Sequence, residues 1–168
     1  MELSNKITQA IRDVHDFPKE GIMYRDIQPL LANQNVFKEA IKRMGTLVEI
    51  PDYWVAVEAR GFLFASALSY KFGGGIRMIR KKGKLPTKDN WGLPYNLEYG
   101  TDMLEMSKFG NDGSTAVIVD DVLATGGTIN TAELLCKAEG LKVIGKLCLV
   151  DIGIVDRPDV KSLIYYED

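Results

Sequence analysis

The sequence predicts one α/β domain, with a central, mainly parallel sheet flanked by helices. Three observations carry that expectation. Short apolar runs suited to buried strands alternate with amphipathic segments of helical period, the pattern of βαβ units with right-handed crossovers. A glycine-rich turn directly follows one such run and opens a helix, at residues 116–139. The chain of 168 residues is 46% apolar and 26% charged without low-complexity tracts, so it can bury about two-thirds of its unfolded surface in a single core.

Taken in order, Ser4 can cap a first helix whose apolar positions Ile7, Ala10, Ile11 and Val14 fall at helical spacing, ending before the turn-rich Asp16-Phe17-Pro18-Lys19-Glu20-Gly21. A second helix is expected over about 36–48, with Phe37, Ile41, Met44 and Val48 on one face. Tyr53 to Val57 is a short strand, Gly61 to Phe72 a helix, and Ile76 to Ile79 a strand. Residues 80–96 are polar and carry Gly83, Pro86, Gly92 and Pro94, which predicts a long loop of functional kind. Ala116 to Val119 is a buried strand, Thr128 to Glu139 a helix stopped by Gly140, and Val143 to Val150 a further strand. No repeat or linker interrupts residues 1–168.

The charge pattern narrows the function. A net charge of −2 argues against a protein that coats nucleic acid, which needs a broad basic surface. The basic residues nevertheless crowd locally: Arg77, Arg80, Lys81, Lys82 and Lys84, with Lys88 close behind. Such a run is either a solvated face or a lobe that closes over a polyanionic small molecule. Cys136 and Cys148 sit in apolar segments without metal-ligand spacing and read as buried, reduced thiols. Neither a leader nor an apolar run of spanning length is evident, so a cytoplasmic protein without a membrane segment is expected.

The most informative stretch follows Val119. Asp120 and Asp121 end the apolar run, and Ala124-Thr125-Gly126-Gly127-Thr128 leads into the helix. A small, glycine-rich turn at a strand's carboxyl end lets backbone N–H groups approach a phosphate, and the helix N-terminus adds a favourable dipole. The threonine hydroxyls can donate to the same phosphate, while the paired carboxylates suit sugar hydroxyls. The order describes a ribose-5-phosphate site. A P-loop fails because Gly83-Lys84 is followed by Leu85, and no G-x-G-x-x-G follows a strand.

Residues 117–128, VIVDDVLATGGT, resemble the signature by which type I phosphoribosyltransferases bind phosphoribosyl pyrophosphate (PRPP). Three further segments resemble the adenine branch of that family: Asp16-Phe17-Pro18 through Gly21-Ile22-Met23-Tyr24-Arg25-Asp26-Ile27, Glu58-Ala59-Arg60-Gly61-Phe62-Leu63-Phe64, and Arg80 to Pro86 followed by Asn96-Leu97-Glu98-Tyr99-Gly100. The likeness runs over about 7–150 in the family's order. It implies a type I phosphoribosyltransferase fold over 1–168, with a small N-terminal hood at roughly 1–35 and a mobile flap at roughly 80–106.

The resemblance also implies roles. Glu58, Ala59 and Arg60 would form the pyrophosphate turn, often with a cis peptide just before the arginine, whose planar fork can bind two phosphate oxygens at once. Lys81 and Lys84 would reach the same pyrophosphate, and Arg80 a partner subunit's site in a homodimer. Asp120, Asp121, Ala124, Thr125, Gly126, Gly127 and Thr128 would hold the ribose and its phosphate. Glu98 would manage the proton at N7 of the base, with Tyr99 beside it in flap closure. Met23, Tyr24 and Arg25 would meet adenine, with Tyr24 stacking on the ring or, alternatively, serving as a core aromatic. The 6-oxopurine branch uses a lysine after a later strand, which Val150-Asp151-Ile152-Gly153 does not supply. Magnesium would arrive mainly through PRPP oxygens and waters, with no protein-only metal site.

The chain departs from the pattern at His15, where proline is common, and at Ser107, where histidine is common. Its segment after Asp151, through Arg157-Pro158-Asp159 to Tyr165-Tyr166, is shorter than in members with a fuller closing segment. The competing expectations are transfer to another base, such as xanthine, hypoxanthine, guanine or orotate, and a non-enzymatic PRPP-sensing regulator. The latter would carry an added DNA-binding domain, for which the short N-terminal helix leaves no room.

Overall fold

The computed structural model describes residues 2–97, 100–110 and 113–166. Its chain divides into two compact units, Met1–Arg43 and Met44–Asp168.

In the first unit, α1 (Glu2–Gln9) is followed by an antiparallel pair, β1 (Arg12–His15) and β2 (Met23–Asp26), then α2 (Gln28–Ala32) and the start of α3 (Gln34–Gly45). The predicted first helix therefore stops early, and Val14 lies in a strand opposite Tyr24. Cross-strand chemistry accounts for the difference. Arg12 faces Asp26 and Asp13 faces Arg25 in the register, and each pair forms an ion pair. These pairs stabilise strand pairing where local period alone favours helix. The second predicted helix is α3, beginning and ending slightly earlier than expected; α2, with proline in its first turn, has no helical period long enough to reveal it.

The second unit is built on a seven-stranded sheet. Its strands are β3 (Tyr53–Val57), β4 (Gly75–Lys81), β5 (Asn90–Leu97), β6 (Gly100–Ser107), β7 (Thr115–Leu123), β8 (Lys142–Asp151) and β9 (Lys161–Tyr165). The spatial order is β5-β6-β4-β3-β7-β8-β9. The run β4-β3-β7-β8-β9 is parallel, and the β5–β6 hairpin adds on antiparallel to β4. From β3 the chain crosses through α4 (Gly61–Phe72) to β4 on one side; from β7 it crosses through α5 (Gly127–Ala138) to β8 on the other. Right-handed crossovers in opposite directions put the two helices on opposite faces. The sheet core on the α5 side joins Val55, Val57, Ile79, Ile118, Leu135 and Cys136 with Tyr95, Leu104 and Met106 from the hairpin.

The long loop expected at 80–96 is corrected by this hairpin. Trp91, Leu93 and Tyr95 alternate toward the core, while Gly92 and Pro94 point outward. Because β5 is the sheet edge, Pro94 removes no ladder bond that the fold needs. β9 has no counterpart in the predicted strands. It pairs parallel to β8.

Candidate active site

A cavity of about 300 Å³ opens where β3, β4 and β7 end, lined by Glu58, Ala59, Arg60, Lys81, Tyr95, Asp120, Asp121 and Thr128 among others. This is the switch point of the sheet, between β3 and β7, whose crossovers leave in opposite directions. Open α/β sheets bind ligands in such a crevice. A smaller adjoining hollow of about 60 Å³ is formed by the turn from Asp120 to Ile129. Both α4 and α5 begin here, so two helix N-termini present positive dipole ends to the same space.

Two glycines make this geometry accessible. A Cβ on Gly61 would come within 2.8 Å of the Val119 carbonyl oxygen, so only glycine lets α4 start this close to β7. Gly126 has φ of +79° and caps α5 in the left-handed region, turning the strand into the helix over a few residues. The Asn130 amide then donates to the Gly126 carbonyl at 3.0 Å, the first bond of α5.

The adjacent carboxylates take different surroundings, because successive residues of β7 point to opposite sides. Asp121 is buried and pairs with Arg60, Nε to Oδ2 at 2.9 Å. Asp120 lines both hollows and accepts from the Asp121 amide at 2.9 Å. Burial and the charge of Asp121 push the Asp120 carboxyl well above its ordinary value. Burial also raises Asp121, against the pull of Arg60.

Glu58 uses its carboxylate internally. Its Oε2 accepts from the Lys81 amide at 3.0 Å and from Arg80 Nε at 3.2 Å, tying the end of β3 to the end of β4. Burial opposes ionisation there, yet these donors hold Glu58 below the usual carboxylate range. The Glu58–Ala59 peptide is cis, one bond earlier than expected for a cis peptide directly before Arg60.

Most of the sequence-predicted residues thus converge. Lys81 lines the main cavity; Lys84 does not, although its charge is felt by Glu58, and its carbonyl accepts from Arg80 at 3.3 Å. Met23, Tyr24 and Arg25 form β2 in the first unit, where Tyr24 meets Phe17 edge-on at 5.0 Å. Glu98 and Tyr99 lie outside the described residues. Cys136 and Cys148 are buried free thiols, with burial pushing Cys136 up to about 12.

Sequence reasoning missed two neighbours of the site. Tyr95 lines the cavity with its phenol raised by burial and by the charges of Asp102, Asp120 and Glu58. The alternation of Trp91, Leu93 and Tyr95 could have revealed it. Arg157 binds Asp159 through Nε and Nη2, both at 2.9 Å, and its Nη1 lies 2.6 Å from where a Cβ on Gly126 would stand. Nothing local to Arg157 signals that contact.

A model of the phosphoribosyl transferase domain matches residues 27–166. The chain belongs to the phosphoribosyl transferase family. Within that family it is 44% identical over 172 residues to an adenine phosphoribosyltransferase of Hydrogenovibrio crunogenus, covering 96% of this chain and 97% of the relative. Its fold is similar to the crystal structure of adenine phosphoribosyltransferase from Thermoanaerobacter pseudethanolicus, with a TM-score of 0.91, 39% identity, and coverage of 97% and 99% of the two chains. The Saccharomyces cerevisiae adenine phosphoribosyltransferase, crystallised with adenine and an imino-altritol bisphosphate, superposes with a TM-score of 0.85 at 29% identity, covering 98% of each chain.

Proposed function

We propose that this chain transfers the 5-phosphoribosyl group of PRPP to adenine, giving AMP and pyrophosphate. The observation that carries the reading is the joined pair of hollows at the switch point. One is a phosphate-sized turn of Ala124, Thr125, Gly126, Gly127 and Thr128; the other presents Arg60 and Lys81. The names of its relatives support the choice of base.

In this mechanism the turn holds the 5-phosphate and the carboxylate of Asp120 accepts from a ribose hydroxyl. Asp121 fixes the Arg60 guanidinium so that its remaining donors meet pyrophosphate oxygens. The C1–pyrophosphate bond breaks as the base nitrogen bonds to C1; the electron pair leaves with pyrophosphate, whose growing charge Arg60 and Lys81 oppose. Glu98 takes charge of the ring proton at N7, and Tyr99 joins the closing flap, roughly 80–106. A positioned carboxyl group of this kind contributes on the order of 10² to 10⁴ in rate. Met23, Tyr24 and Arg25, in the proposed hood at roughly 1–35, contact adenine.

The carboxylate oxygens that line the site, those of Asp120 foremost, are hard ligands that would suit Mg²⁺ carried in by PRPP. When bound, the ion supplies charge neutralisation at the leaving pyrophosphate. A homodimer is supported by Leu63 and Tyr70 on α4 and Ile76 and Met78 on β4, large apolar side chains left exposed. In that assembly Arg80 would leave Glu58 for the partner's site. Free thiols at Cys136 and Cys148 favour a cytoplasmic setting. Among the described residues, no helix is long and apolar enough to cross a membrane.

The test is pyrophosphate release measured with PRPP, magnesium and each base in turn. Release that requires adenine supports the reading. Turnover of xanthine, hypoxanthine, guanine or orotate with adenine rejected would overturn it.

A further inference from the structure

Away from the cavity, at the carboxyl end of α5, one carboxylate gathers both roots of the β5–β6 hairpin. Glu139 is only 5% exposed and Arg77 3%. Glu139 Oε2 accepts from the Trp91 indole Nε1 at 2.8 Å, at the start of β5. Its Oε1 accepts from the amides of Phe109 at 2.6 Å and Gly110 at 3.1 Å, just past β6, and from Arg77 Nη2 at 3.0 Å. Arg77 Nη2 also donates to the Ser107 carbonyl at 2.9 Å, and its guanidinium lies 4.2 Å from the Phe109 ring centre.

We propose that Glu139 is a positioning residue for the transfer reaction, a latch that fixes the β5–β6 hairpin to α5 while the opposite end of that helix forms the phosphate turn. The inference rests on reading the hairpin as the flap. Its physical basis is the convergence of four donors on one buried carboxylate. Burying a charge in this way is favourable only when its oxygens are fully engaged, and each engagement here goes to a hairpin root or to the arginine that holds one. The twelve residues of α5 make a strut about 18 Å long between the two sites. Helix, turn and hairpin therefore share one rigid support.

Two variants of the full chain test this. Trp91→Phe keeps the ring in place and removes only the donor to Oε2, leaving the Arg77–Glu139 pair intact. Glu139→Gln offers one accepting oxygen where the carboxylate has two, and turns an NH₂ toward existing donors. Amide hydrogen exchange should quicken in residues 90–107 of both variants and stay unchanged in β3 and β7. With loss of one charge-assisted hydrogen bond to the flap, kcat/KM for adenine should fall about tenfold. Affinity for ribose 5-phosphate, a probe of the turn alone, should stay at the wild-type value.

Unaltered hairpin exchange in both folded variants would overturn the latch, as would quickened exchange spread equally through β3, β7 and β8. So would wild-type kcat/KM in both. A wild-type chain that ignores adenine would refute the functional reading instead, while exchange in residues 90–107 would still report on the latch.

Discussion

Asp120 and Asp121 are neighbours in sequence but not in chemistry. Asp121 has a guanidinium partner, whereas Asp120 bears the cost of sitting beside a second carboxylate in a partly buried position. A carboxyl whose pKa is raised by folding favours the folded state when protonated. Ionised, it penalises the fold, and that penalty is complete above the folded pKa. Asp120→Asn removes the penalty and leaves a neutral amide oxygen in place of the charged acceptor intended for ribose. The ligand-free variant should therefore melt higher than wild type at pH 8, with the gap closing as pH falls through the raised pKa. The KM for PRPP should rise up to about tenfold, as expected when a charge-assisted hydrogen bond gives way to a neutral one. Thermal melts across pH, run beside PRPP kinetics, check both halves; a variant that melts lower at pH 8 contradicts the electrostatic account.

The phosphate turn is legible in the sequence because its chemistry is local: strand, two acids, small residues and helix lie within 116–139. The strands β3 and β7 and the helix α4 are legible for the same reason, since their apolar runs are bounded by clear breaks. The β5–β6 hairpin is less so. Its Gly92 and Pro94 resemble loop residues until the pairing with β6 shows them on the outer face of an edge strand. β1 is obscured by a helical spacing that its antiparallel pairing and ion pairs with β2 override. Arg157 reaches the site through a tertiary contact that no local pattern encodes, whereas Tyr95 shares with Trp91 and Leu93 the alternation that marks the core face of β5. The turn also yields a controlled prediction. Gly126 and Gly73 both have positive φ, +79° and +90°, but Gly73 caps α4 with open space around it. Gly→Ala at either position should cost about 1 kcal/mol, or about 2–4 °C in Tm for a chain of this size. Only Gly126→Ala should also raise the KM for PRPP, because its Cβ meets Arg157 Nη1 and pushes that guanidinium aside next to the turn. Equal KM values for the two variants would mean that the turn tolerates the change.

Acid should undo the second unit from several places at once. Glu139 is held below its ordinary value because the Phe109 amide, Arg77 and Trp91 outweigh its burial. Glu133 is lowered chiefly by Lys146, and Asp159 strongly so by Arg157 and then Lys146. Glu58 is lowered by the Lys81 amide and Arg80 against burial. These groups join different elements: α5 to the hairpin, α5 and β8 to the segment before β9, and β3 to β4. For each of them the folded pKa lies below the unfolded one, so its stabilisation is fully present above the unfolded value of about 4 and disappears as pH falls through the folded value. The unfolded chain then binds more protons than the folded one, and stability should drop by about 1.4 kcal/mol per pH unit for each proton of difference. Asp120 and Asp121, both raised by burial, work in the opposite direction, easing the folded state as they take up protons. Because the lowered carboxylates outnumber these two, the net acid limb should still be steep. Urea unfolding from pH 8 down to pH 3 should give a steady midpoint above about pH 5 and a falling one below. Asp159→Asn should start from a lower midpoint at neutral pH and lose less on acidification, since one of the linked carboxylates is gone. Parallel acid limbs for the variant and the wild type would remove Asp159 from this linkage and leave the loss of stability to the other three carboxylates.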